Sequence, residues 1–153
     1  DILGLTGGTS NGSTTFTVTT DSPSGYRLSI EAETNPALQS GPYSIDDYDA
    51  GATPDFNFSF ANNEALFGFS PEGTDIVEAF RDDGGTCGID TTDTALACWD
   101  GFAVTETVIA EGSGGNQPAG ATTTVNFRVG VGSSAGVTAG VYIATSTVTA
   151  LPL

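Results

Sequence analysis

Carboxylates are the reactive groups this chain has in quantity, and they come in short-spaced sets. Asp46, Asp47 and Asp49 share one predicted loop with Asp55 nearby, while Asp82, Asp83, Asp90, Asp93 and Asp100 surround a pair of cysteines, Cys87 and Cys98. Calcium is held by several hard oxygens at once, and closely spaced aspartates supplemented by backbone carbonyls supply them. Asp46, Asp47 and Asp49 are therefore the candidate metal ligands, and calcium is the one candidate cofactor. No stretch matches an EF-hand loop with its central Gly and closing bidentate Glu. The competing reading of the same residues is solvated acidic loops in a secreted or salt-adapted protein. Two carboxylates also suffice for glycoside hydrolysis, but with 19 acids in the chain some pair meets the required separation by chance.

What is missing excludes more. The chain has no His, so Ser-His-Asp and Cys-His catalysis and imidazole-built zinc or copper sites are absent. It has no Lys, which removes Schiff bases, a phosphate-loop lysine and Lys-Asn isopeptide bonds. The three basic residues are Arg27, Arg81 and Arg128, and the net charge of -16 opposes nucleic acid and anionic membranes as partners. The expectation is a protein that is not an enzyme. Trp99, Tyr26, Tyr43 and Tyr48 offer a sugar-stacking platform, against which stands the simpler reading of Trp99 as a lid over a disulfide. Asn11-Gly-Ser13 and Asn57-Phe-Ser59 fit the N-glycosylation pattern, a short motif that recurs by chance.

Cys87 and Cys98 lie close enough in sequence to close a small loop, and they are the only cysteines. A disulfide in an oxidising compartment is expected, with a pair of buried thiols as the alternative. The sequence starts at Asp1 and contains no Met, which fits removal of a signal peptide. Nothing approaches the roughly 18-residue apolar run of a membrane span, so no membrane insertion of the mature chain is expected. These features place the protein outside the cell, at the cell surface.

Elements that would position these residues follow from period-two alternation, which recurs while helical periodicity is nearly absent. With 153 residues the chain fits one domain, 1–153. Thr14–Thr20 and Tyr26–Ala32 read as strands folded into a hairpin by Asp21-Ser-Pro-Ser-Gly25. Phe56-Asn-Phe-Ser-Phe60 reads as the most apolar strand and the centre of the core, continued by Ala65–Phe69. Phe102–Ile109, Thr122–Val131 and Val141–Thr149 complete the set. A short helix is expected over Asp75–Arg81, with Asp75 and Glu78 forming a capping box. The result is an all-β chain, a two-sheet antiparallel β-sandwich of about eight strands with one short helix.

Thr15-Phe-Thr-Val-Thr-Thr-Asp-Ser-Pro-Ser-Gly-Tyr26 with Arg27–Ile30, and Thr123–Val129 with Ala139–Thr149, resemble secreted bacterial surface β-sandwich proteins of the candidate-phylum type. More loosely, they are similar to subunits of extracellular filaments and pili. The resemblance covers both ends and the cysteine-tryptophan segment, and it carries over no catalytic residue. Such relatives have further strand-forming sequence upstream, which leaves one strand unaccounted for here. A sandwich lacking a strand exposes an apolar groove that a neighbour's segment can fill by β-augmentation. Residues 1–6 form the candidate donor strand, with Ile2, Leu3 and Leu5 as plugs, while the alternative is that both termini fold back on their own sheet. The function implied is a structural subunit of an extracellular filament, pilus or surface layer whose partners are copies of itself. The alternative is a carbohydrate-binding or adhesive surface module with a structural calcium. A calcium site predicts a higher melting temperature in calcium than in chelator, because a ligand bound only by the folded state stabilises it. Identical melting temperatures would leave solvated acidic loops.

Overall fold

In the computed structural model, which describes residue 2 and residues 6–153, the alternating segments form ten strands. In chain order they are β1 (Gly8–Val18), β2 (Tyr26–Ala32), β3 (Leu38–Ser40), β4 (Tyr43–Asp47) and β5 (Ala65–Gly73). Then follow β6 (Asp100–Gly101), β7 (Thr107–Gly112), β8 (Ala121–Val131), β9 (Ile143–Ala144) and β10 (Ser146–Pro152). Seven strands make one sheet in the order β1-β8-β5-β4-β3-β9, with β6 also on β5, and three make a second in the order β10-β2-β7. The pairing is antiparallel except between β4 and β5, which run parallel. The buried side chains of both sheets belong to one hydrophobic cluster, with Tyr26, Leu28 and Ile30 from β2 and Phe67, Phe69 and Val125 from β5 and β8.

Several expectations change. The strands flanking Asp21–Gly25 are not a hairpin: β1 pairs with β8 over 11 residues, whereas β2 lies between β10 and β7 in the other sheet. The turn is formed, with the Gly25 N–H donating to the Ser22 carbonyl at 3.1 Å, but it carries the chain from one sheet to the other. Gly25 sits at φ 91°, and a side chain there would strike the Gly112 backbone. The last expected strand likewise divides at Thr145 into β9 and β10, one in each sheet. Together with the short β3, β4 and β6, this raises the strand count above eight.

The helix expected over Asp75–Arg81 shrinks to a 3-10 turn, Glu78–Phe80. Its first residues are instead drawn to the outer edge of β7. The Glu111 N–H donates to the Asp75 carbonyl at 2.8 Å and the Val77 N–H to the Ile109 carbonyl at 3.1 Å. The Asp75 carboxylate, free of any capping role, accepts from the Tyr26 hydroxyl at 3.0 Å. Burial, with Asp75 beside it, pushes Tyr26 up to about 12.

Phe56–Phe60 is no strand and does not form the core's centre. The segment crosses the outer face of the large sheet, because outward positions on β5 and β8 are Gly68 and Gly130 and leave space for rings. A side chain at Gly130 would collide with Phe60, and one at Gly68 would lie 2.9 Å from Tyr48. Phe58 stacks on Tyr48 at 4.6 Å between centroids and meets Trp99 edge-on at 5.4 Å. Arg128, outward on β8, lays its guanidinium 4.3 Å from the Trp99 ring centre, a cation–π contact that seals this face. Trp99 is thus packed on the sheet, held by its indole N–H to the Leu96 carbonyl at 2.8 Å.

Cys87 and Cys98 are disulfide-bonded. Asp82 organises the excursion they close. Its buried carboxylate accepts from the Gly84 N–H at 2.7 Å, the Thr94 N–H at 2.9 Å and the Thr94 hydroxyl at 2.7 Å. Burial pushes its pKa up, but these three hydrogen bonds outweigh burial and hold it below the ordinary carboxylate value. The Asp82 contribution is therefore present above the unfolded-state pKa and lost as pH falls through the lower folded value. Replacing Asp82 with Asn turns an amide toward these donors, and urea titration at neutral pH should show a loss of about 1–3 kcal/mol. The difference from wild type should shrink in acid.

Candidate functional site

A groove about 520 Å³ in volume opens between the edge strands β1 and β10. Register explains why it opens. On β1, Gly12 lies opposite Phe127 and Ser10 opposite Val129, so the inward face of β8 meets small residues there and both side chains stay half-buried. The walls are Thr14 and Phe16 on one side and Ser146 and Val148 on the other, with Leu38 and Ala144 at one end. The floor is a set of near-parallel phenylalanines. Phe67 and Phe102 stack at 5.0 Å and 13°, and Phe102 and Phe127 lie 6.1 Å apart at 14°.

The lining carries no carboxylate, amine or thiol, and its polar groups are the hydroxyls of Thr14 and Ser146. What it offers is apolar surface beside unpaired backbone. β1 and β10 each end a sheet, and among the described residues no strand pairs with their outer edges. By contrast, the outer edge of β7 is partly covered by Ile76 and Val77. Asn116 closes one end of β1 by donating its amide to the Val18 carbonyl at 2.9 Å and accepting the Thr20 N–H at 2.8 Å.

The aspartates singled out in the sequence serve several separate backbone contacts, although Asp100, its pKa raised by burial first, is raised further by the nearby charges of Asp49 and Asp55. Asp46 and Asp47 end β4 as successive strand residues and so face opposite ways. The Asp47 carboxylate accepts the Ala37 N–H at 3.1 Å, and Asp49 accepts the Gly51 N–H at 3.0 Å. Among the described residues no group of three or more Asp, Glu, Cys or His side chains is arranged to hold a metal ion. The four-membered aromatic platform also comes apart, because Trp99, Tyr26 and Tyr48 are buried and only Tyr43 is exposed. Tyr43 and Asp46 instead line a second cleft of about 450 Å³, with Glu64, Asn63 and Tyr142, where β4 separates from β5.

Asn11 is exposed on β1, its amide oxygen accepting from the Arg128 guanidinium at 2.8 Å, and Asn57 is exposed on the loop over the outer face. Ile2 packs partly buried against its own core, while Leu3 and Leu5 lie outside the described residues. At the other terminus, Leu151 belongs to β10 and the Leu153 N–H donates to the Gly25 carbonyl at 3.0 Å, so that end folds back on its own sheet. Among the described residues no helix is long and apolar enough to cross a membrane. Sequence reasoning expected an apolar groove but did not place it or name its lining, which comes from separate elements; the small residues at positions 10 and 12 were its one local signal.

Comparisons with protein-family models, with curated proteins and with solved structures gave no match.

Asp47 supplies a pH test of the site's electrostatics. Burial first, and then the charge of Asp46, push it up to about 6, while the Ala37 N–H pulls the other way. The folded chain therefore holds this proton more tightly than the unfolded chain, and Asp47 costs stability as pH rises through that range. Asp47→Asn keeps an acceptor for Ala37 and removes the buried charge. Its melting temperature should exceed that of wild type at neutral pH and approach it at about pH 4, where folded wild type holds Asp47 protonated. A gain of equal size at both pH values would assign the effect to packing.

Proposed function

We propose that this chain is a non-enzymatic structural subunit of an extracellular filament, pilus or surface layer, a β-sandwich whose copies join by β-strand addition. The observation that carries the reading is the groove: an apolar slot floored by phenylalanines and flanked by two strand edges that are unpaired among the described residues. An added strand gains main-chain hydrogen bonds from an edge and buries alternate side chains in the slot, which is the chemistry of β-augmentation. Each Leu or Ile so buried contributes about 1.5–3 kcal/mol. Head-to-tail contacts of this kind do not close and so build fibres. The extracellular setting is supported by the Cys87–Cys98 disulfide, since such bonds persist in oxidising compartments.

The candidate donor is residues 1–6 of a neighbouring copy, with Ile2, Leu3 and Leu5 as plugs. A second reading, a carbohydrate-binding or adhesive module, draws on the cleft beside β4, where exposed Tyr43 and half-buried Tyr142 accompany Asp46, Glu64 and Asn63. Negative-stain electron microscopy separates the two, because fibres with a regular axial repeat belong to the first. Deleting residues 1–6 should abolish fibres and leave a folded monomer. A truncated chain that polymerises with the same repeat would rule out the N-terminal donor.

A further inference from the structure

Charge is partitioned along this chain. Asp1 apart, every acid lies between Asp21 and Glu111, residues 2–20 carry no charge, and residues 112–153 carry only Arg128. These acid-free stretches supply β1, β8, β9 and β10, and so both edge strands beside the groove. The Arg128 side chain lies on the opposite face of its sheet, against Trp99. In a molecule of net charge -16, the groove and its two walls are thus a neutral flank.

Free edges are ordinarily blunted by Lys, Pro, inward charges, bulges or a covering segment. Among the described residues β1 has none of these over 11 residues in unbroken register with β8, and β10 carries no charge and its only Pro at the end. We infer that this flank is a self-association face and that its occupant is a second copy of the chain. The inference rests on the strand-addition reading and adds what selects the occupant of that groove: the partition of charge, which leaves this flank neutral.

Charge decides in favour of a second copy. A cationic partner gains most on the acidic part of the molecule and has no reason to choose the neutral flank. Another copy of a chain at -16 is repelled at every approach that brings acidic surfaces together, and contact through the neutral flank minimises that repulsion. The groove adds the apolar surface that makes such contact favourable. Residual repulsion between the acidic remainders implies that association strengthens as salt screens it.

Glutamates placed on opposite walls test this. Thr14→Glu and Ser146→Glu each replace an exposed polar residue that lines the groove, and Thr53→Glu adds the same charge at an exposed site outside it. Sedimentation velocity across protein and salt concentrations reads association, and circular dichroism reads folding; association is compared for the wall variants that keep the wild-type spectrum. Expected are salt-strengthened association of wild type and Thr53→Glu, and at least about ten-fold weaker association of the wall variants, since an added carboxylate must be desolvated there. Wild-type association that folded wall variants reproduce overturns the neutral flank as the contact while leaving strand addition to another edge. Equal weakening by Thr53→Glu also overturns it, by assigning the effect to net charge. A wild-type chain that stays monomeric throughout overturns this inference and the strand-addition reading together.

Discussion

The large sheet buries side chains on both of its faces, and the second sheet, which shares one hydrophobic cluster with it, has only three strands. Most of the remaining structure answers to that constraint. β5 is buried along much of its length, which requires partners on either side. Inward, Phe67 and Phe69 meet Phe102, Phe80 and the β2 residues of the common cluster. Outward, two irregular excursions do the work of a sheet, and they succeed because Gly68 and Gly130 admit their rings. Polar groups on that face are joined rather than left bare: the Ser70 hydroxyl donates to the Ala97 carbonyl, and Glu72 accepts from the Leu96 N–H and the Asn126 amide. Between β1 and β10 the phenylalanines of the common cluster stay open as the groove.

Scarce cations are placed at joints. Arg27 on β2 pairs with Glu111 on β7 at 2.7 Å, a cross-strand ion pair that is too exposed to contribute much. Arg81 donates to the carbonyls of Thr74, Ile76 and Thr91, and so ties the 3-10 turn to the cysteine excursion. Arg128 spans Trp99, Phe58 and Asn11. With three guanidiniums and 19 acids, carboxylates must be stabilised by other means, and backbone N–H groups serve. Asp47, Asp49, Asp82, Asp83, Asp93 and Glu64 all accept from them.

The same dependence on tertiary context set what could be read in advance. The β8 segment was legible, since its alternation and turn residues agree with one inward face, and so was the disulfide. Phe56–Phe60 misled because alternation reports that rings share a side, while whether a strand forms depends on a free edge; on β5 those edges belong to β8, β4 and β6. The helix over Asp75–Arg81 misled for the complementary reason: its capping pattern is local, and the backbone of β7 offered its first residues better partners. Aspartate spacing gave the composition of the acidic loops but not the direction of their side chains, which strand pleating at Asp46 and Asp47 reverses. The groove was least legible, because its walls lie more than a hundred positions apart in sequence.

An edge that is unpaired among the described residues, beside an apolar groove, is an aggregation hazard, and β1 shows how the hazard is moderated without charge. Its outward side chains are chiefly hydroxyls and an amide, several in register with those of β8; Thr15 and Thr124 lie 3.1 Å apart and Thr17 and Thr122 3.4 Å. Threonine favours the extended backbone and hydrates well, so these ladders stabilise the strand and keep its outer face wet. Lysines would protect the edge better, but they would also close it to any incoming strand. An edge built from Thr, Ser, Gly and Asn stays soluble on its face while its main-chain groups remain available for pairing. Protection and availability are thereby assigned to different atoms of the same strand.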